Sequence, residues 1–348
     1  MLLVVFGAGA SYDSAPSYPP EPGDGLIERP PLANQLFDDR PLFAEALRSF
    51  PRCQPLVPRL RNPPTGRSVE ELFQEFQDQA HDYPERYCQL AAVRYYLHHV
   101  LWQIGNRWKS THKGITNYKT LLDDLERWRS QSGEKICIVT FNYDTLLELS
   151  IPPALQLTIS DLPDYISNTN YKIIKVHGSV NWGRELNMRI GDLMNRNVWQ
   201  VAYEYIDRAA ELNFGDRYHI STEYPIAWGK RQFDTDRFPL FPAIALPLVQ
   251  KTSFECPEDH LRTLREALPD VTKILIIGWR GTEEHFLTLL REHLKNPPTI
   301  MIVASGLDEA SQVGSDLMKM GIGRGFVAAN GGFTHVIRNR EIDIFLDS

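Results

Sequence analysis

Short, β-branched apolar runs recur along the chain, and each stops abruptly at small or polar residues. Leu2–Phe6 stops at Gly7-Ala8-Gly9-Ala10-Ser11, and Ile136–Phe141 at Asn142-Tyr143-Asp144. Lys172–Val176 stops at His177-Gly178-Ser179, Lys273–Ile277 at Gly278-Trp279-Arg280, and Thr299–Val303 at Ala304-Ser305-Gly306. Apolar runs this short, bounded by turn residues, read as strands buried on both faces. Helical patterns separate them. Strands alternating with helices predict an α/β fold with a doubly wound, parallel, Rossmann-like sheet. In such sheets ligands bind in the crevice beyond the carboxyl ends of the strands. The segments at which the runs stop are therefore the first candidates for function.

The intervening segments predict helices with one buried face. Ser68-Val69-Glu70-Glu71 is a capping box, followed by Val69, Leu72, Phe73 and Phe76 on one face. A longer stripe runs through Leu90, Val93, Leu97, Val100, Leu101, Ile104 and Trp108, and a third through Tyr118, Leu121, Leu122, Leu125 and Trp128. Adjacent His98 and His99 diverge on a helix and have no partner three or four residues on, so they do not form a metal pair. These helices read as an insertion at about 40–130 between the first two sheet strands. A smaller helical insertion is expected at about 183–235, where Trp199, Tyr203 and Tyr205 are the apolar anchors. Glu309–Met320 predicts a helix and Phe333–Ile337 a last strand, and Thr282 a cap for the helix after Gly278. With these insertions, 1–348 reads as a single domain.

Composition narrows the class. Hydrophobic residues make up 43% and charged ones 23% of 348 residues, an ordinary globular balance. A formal net charge of -7 argues against a nucleic-acid surface. The four cysteines, Cys53, Cys88, Cys137 and Cys256, are scattered with no Cys-x-x-Cys, so no zinc ribbon is expected. Scattered thiols suit a reducing compartment, Met1–Phe6 is too short for a signal peptide, and no run approaches the ~20 apolar residues of a membrane span. A cytoplasmic protein without a membrane or metal partner is expected.

Gly7 and Gly9 allow a sharp turn and a close approach of phosphate to backbone amides. A strand–helix turn that merely uses small residues fits the same pattern. A dehydrogenase fingerprint would place a third glycine at position 12, where Tyr12 stands, and would continue into a βαβ unit. Instead a proline- and glycine-rich stretch follows, from Pro16 to Pro31, and residues 14–66 as a whole read as a loop or lid.

Taken in order, FGAGAS at 6–11, TFNYD at 140–144 and KVHGS at 175–179 resemble the sirtuin-like NAD-consuming fold. They are most similar to its bacterial branch, which hydrolyses NAD in antiphage defence. The proline-flanked run Phe241–Pro247, reaching Lys251, resembles that branch too. The resemblance implies that NAD is the substrate, with Gly7, Ala8, Gly9, Ala10, Ser11, Thr140, Phe141, Asp144, Gly278, Trp279 and Ser305 contacting it. It implies Asn142 and His177 as the catalytic pair. Deacylating sirtuins carry a four-cysteine zinc module after the His strand. The corresponding region here has no cysteine, which points to water as the acceptor. The resemblance further implies an effector that depletes NAD, held off until a homo-oligomer or a partner such as a translocating ATPase releases it.

The chemistry suits these residue types. Cleaving the nicotinamide–ribose bond leaves an oxocarbenium-like ribose, and the attacking oxygen must lose a proton. An imidazole with an ordinary pKa of ~6.5 can take it, which is the role expected of His177. Asn142 offers hydrogen bonds without charge and can orient a ribose hydroxyl and a water. Asp144 either favours a cationic His, orients Asn142, or caps the helix that follows. An NAD or ADP-ribose sensor without turnover, and a deacylase or ADP-ribosyltransferase, are the alternative readings.

Overall fold

The computed structural model describes residues 1–21, 29–187, 196–230, 237–247 and 254–348. Ten strands follow in chain order: β1 (Leu2–Phe6), β2 (Ile136–Thr140), β3 (Tyr171–Lys175), β4 (Gly178–Leu186), β5 (Phe214–Ile220), β6 (Trp228–Lys230), β7 (Arg237–Ile244), β8 (Lys273–Ile277), β9 (Thr299–Val303) and β10 (Gly325–Ala329). The chain divides into two compact units. The first holds Met1–Pro30, Gly105–Val176 and Glu258–Ser348, and the second Pro31–Ile104 and His177–Pro257.

In the first unit six strands form one sheet in the order β10-β9-β8-β1-β2-β3, and every neighbouring pair is parallel. The chain leaves β1 on one side to build β2 and β3, then returns to the other side for β8, β9 and β10. Counting only the strands of this sheet, that order is 3-2-1-4-5-6, the order of doubly wound dinucleotide-binding folds. Every residue of β1 and β2 is buried, as strands covered by helices on both faces must be. The order reverses between β1 and β8, which are in register from Leu2↔Lys273 to Phe6↔Ile277.

The helix Asn117–Ser132 belongs to this unit. Thr116 caps it by accepting from the Lys119 amide at 3.2 Å, and Gly133 ends it in the left-handed conformation. The stretch 333–337, expected as a strand, is instead part of the helix Gly332–Arg338. Gly331 and Gly332, both at positive φ, turn the chain there, and Phe333 and Val336 bury one helical face. The last strand is β10. Glu283, not Thr282, precedes the helix Glu284–His293, and its carboxylate accepts from Trp279 Nε1 at 2.5 Å.

The second unit combines an antiparallel sheet, β5-β4-β7-β6, with helices. Where a helical insertion was expected at 183–235, the described residues hold the end of β4, β5 and β6 together with the α-helix Val198–Asp207. Its Tyr205 hydroxyl donates to the Ala227 carbonyl at 2.8 Å. The capping box forms as read: Ser68 Oγ accepts from the Glu71 amide and Glu71 Oε2 from the Ser68 amide. The helix Glu85–His112 buries more than its predicted stripe, since Tyr95, Tyr96, His98 and His99 are buried beside Leu97 and Val100. Phe241–Ile244 lies in β7, while Lys251 falls outside the described residues.

Candidate active site

At the carboxyl edge of the parallel sheet, the loops after β1 and β8 touch backbone to backbone. The Gly7 amide donates to the Ile277 carbonyl at 3.0 Å and the Gly9 amide to the Gly278 carbonyl at 3.1 Å. A Cβ on Gly9 would sit 2.8 Å from Gly278 Cα, and one on Gly7 or Gly278 would collide with the facing loop. Gly278 also sits at φ +63, which favours glycine. Close approach therefore explains all three glycines, and the approaching group is the neighbouring strand end. The Ala10 amide is engaged too, by the Gly7 carbonyl at 2.9 Å. Ala8 opens the short helix Ala8–Tyr12 that follows.

Two bonds from β2's end fix Asn142. Its amide donates to Thr140 Oγ1 at 3.1 Å, and its side-chain nitrogen lies 2.9 Å from the Gly7 carbonyl. A carbonyl only accepts, so the side-chain amide's orientation is set. The same nitrogen lies 3.0 Å from both Ser11 Oγ and Tyr118 Oη, which are 2.9 Å from each other. Both N–H groups of the Asn142 side chain are thus taken within the protein. Its remaining capacity is the carbonyl oxygen, an acceptor. Asn142 can hold a hydroxyl or a water through that group's proton, and it no longer offers the donors expected of it.

Asp144 resolves toward the local reading. Its Oδ1 accepts from the Leu146 amide at 3.0 Å, at the start of the helix Leu146–Leu155, and Ser11 bonds its carboxylate. Burial raises the Asp144 pKa, against the Lys175 charge and the Ser11 bond, which lower it. Lys175 is fully buried at the end of β3, where its ammonium reaches the Asp144 carbonyl at 2.6 Å and Glu148 Oε1 at 2.8 Å. Tyr165 donates to the same Glu148 oxygen at 3.0 Å. A buried ion pair thus holds the turn that carries Asn142 and Asp144.

Phe141 and Trp279 stack, with ring centroids 5.3 Å apart and planes 7° from parallel, and Phe286 meets both edge-on. Both are buried, so they pack the loops after β2 and β8 together. Ser305 is exposed beyond β9, and its hydroxyl donates to Glu309 Oε2 at 2.6 Å. Of the expected site residues, the structure brings together Gly7, Gly9, Ser11, Asn142, Asp144 and Gly278, and pairs Phe141 with Trp279.

His177 directly follows Val176, whose amide donates to the Thr140 carbonyl at 3.2 Å beside β2. It opens the second unit, where its carbonyl accepts from the Ala245 amide at 3.0 Å and its side chain is buried. Gly178 takes φ +78 directly against Ala243, so glycine is required where the chain turns into β4.

Sequence reasoning missed Tyr118, read only as part of an apolar stripe, and Lys175 with Glu148. A lysine ending an otherwise apolar strand was the available signal for the ion pair. For Tyr118 the stripe pattern concealed the hydroxyl.

The sheet order and the loops at its reversal define an open α/β fold of the dinucleotide-binding type. No protein-family model matches the chain, and no curated protein matches it. Solved structures do align. Sir2Tm bound to a propionylated peptide shares 11% identity with a TM-score of 0.38, over 99% of this chain and 94% of that one. A Sir2 in complex with the inhibitor EX-527, 2'-O-acetyl-ADP-ribose and a deacetylated p53 peptide shares 13% identity with a TM-score of 0.37, over 99% and 94%. The fold described above stands on strand order and register.

Proposed function

We propose that the chain binds NAD at the carboxyl edge of its parallel sheet, near the β1/β8 reversal, and hydrolyses it to nicotinamide and ADP-ribose. The observation that carries this reading is Asn142, buried at the end of β2 with both side-chain N–H groups engaged and only an acceptor left to offer. A ribose hydroxyl or a nucleophilic water is the kind of donor it suits. An uncharged acceptor also leaves developing positive charge on the ribose unopposed. The bond between nicotinamide nitrogen and ribose C1' breaks, and its electron pair neutralises the pyridinium. Water oxygen attacks C1', and its proton passes to His177 as general base.

The engaged amides of Gly7, Gly9 and Ala10 limit how the pyrophosphate is held. Gly7–Ser11 contributes shape more than a full ring of amide donors. The motif resemblance extends the proposal to an effector that depletes NAD in defence, acting as a homo-oligomer or with a partner protein.

The test is to incubate the protein with NAD in water enriched in ¹⁸O and identify the products by chromatography and mass. Equal amounts of free nicotinamide and singly labelled ADP-ribose support hydrolysis. ADP-ribose attached to protein, or O-acyl-ADP-ribose formed only with an acylated peptide, replaces it with transfer chemistry. Saturable NAD binding without product replaces it with a sensor.

A further inference from the structure

Tyr118 lies on the helix Asn117–Ser132, is 1% exposed, and packs its ring between Phe6 and Phe333 at centroid distances of 5.0 and 5.6 Å. Its hydroxyl nonetheless reaches Ser11 Oγ at 2.9 Å and the Asn142 side-chain nitrogen at 3.0 Å. One bond in this cluster has a fixed direction, because a carbonyl only accepts. The Gly7 carbonyl takes one Asn142 N–H. Ser11 also bonds the Asp144 carboxyl, whose pKa burial raises. In the Ser11–Tyr118 pair either hydroxyl can be the donor. The second Asn142 N–H falls between the Tyr118 and Ser11 oxygens.

We infer that Tyr118 is a positioning residue: its hydroxyl shares the second N–H of Asn142 with Ser11 and so helps fix that side chain with its carbonyl oxygen as the group available to a ligand. Neither the ring nor the hydroxyl of so deeply buried a residue is placed to touch a substrate. The helix that carries it grips the glycine loop a second time. The Asn117 amide donates to the Ser14 carbonyl at 2.7 Å, and its side-chain nitrogen to the Asp13 carbonyl at 2.7 Å. One helix end thus holds both Asn142 and the segment running on from Gly7.

The hydrogen-bond part of this inference stands alone, while its effect on rate rests on the NAD-cleaving reading. The test uses Tyr118→Phe, which keeps the ring and its packing. In protein labelled with ¹⁵N-asparagine, the side-chain amide of Asn142 is identified by its loss in Asn142→Ala. Wild-type protein should show a slowly exchanging pair, and Tyr118→Phe a shifted pair exchanging about tenfold faster, as for loss of one buried hydrogen bond. Turnover should fall by about tenfold in kcat with KM unchanged. Unchanged amide signals overturn the inference, even if the melting temperature falls. A changed amide with normal kcat overturns the positioning role. If wild-type protein does not cleave NAD, the functional reading fails, and the amide signals alone decide the inference.

Discussion

Gly9 donates its amide to the Gly278 carbonyl at 3.1 Å, and a Cβ on Gly9 would stand 2.8 Å from Gly278 Cα. Two loops from adjacent parallel strands meet here without side chains between them, at the point where the sheet order reverses. A dinucleotide-type glycine pattern therefore serves first to let two strand ends close on each other.

Gly278→Ala is expected to destabilise the protein by on the order of 3 kcal/mol, combining overpacking with a left-handed backbone. Gly105→Ala is the control. It lies inside the helix Glu85–His112 with nothing near its Cβ position, and should stabilise by about 0.5–1 kcal/mol. Urea unfolding of both variants checks this. Equal, small effects would show that the loops do not need close contact.

Burial and the neighbouring His99 depress the His98 pKa to about 3 from the ordinary 6.5, and burial holds His99 at about 4. The unfolded chain therefore takes up these protons before the folded one does. Their contribution is intact above pH 6.5 and is lost as pH falls from there toward 3. Each adds up to about 1.4 kcal/mol per pH unit to the loss. Unfolding midpoints at pH 7 and pH 5 should fall further in wild type than in His98→Phe. Identical pH slopes in the two proteins would show that His98 is not held neutral.

Lys175 and Glu148 form an ion pair with side chains 1% and 10% exposed. Removing one partner strands a buried charge, so Lys175→Met should cost about 3–5 kcal/mol. Lys175→Met combined with Glu148→Leu should recover most of that loss. A double-mutant cycle with no coupling would contradict a buried pair.

Asp13 accepts twice from Thr334, from its amide at 2.9 Å and its hydroxyl at 2.5 Å, and burial raises the Asp13 pKa. Asn117 also donates to the Thr334 hydroxyl at 2.8 Å. Thr334→Val keeps the shape and removes the hydroxyl, and should cost about 1–3 kcal/mol. Thr334→Ser, which restores the donor, should recover part of it. No loss in Thr334→Val would show that the bond is not needed.

Five strands of the parallel sheet, β1, β2, β3, β8 and β9, were legible because they are short, apolar and largely buried, and each ends at turn residues; β10, with Val327 exposed, was not. Nor was the second sheet. β4 and β5 carry mixed polar residues such as Asn181, Arg184 and Arg217, and antiparallel strands with partly exposed faces leave a weaker pattern. Phe333–Ile337 looked like a strand because a short apolar run does not distinguish the two periods. Two glycines and the Thr334–Asp13 contact decide it as a helix. The glycine, Asn142 and Asp144 motifs were visible as residues. Their hydrogen-bond partners were not, because they include Tyr118, more than a hundred positions from Ser11.

The most direct measurement is NAD consumption by wild-type, Asn142→Ala and His177→Ala proteins, with products separated by chromatography. Wild type should release free nicotinamide and ADP-ribose, with turnover lowered by ~10²–10⁴-fold in His177→Ala and lost in Asn142→Ala. Wild-type rates in both variants, or no cleavage by wild type, would contradict the proposed hydrolysis.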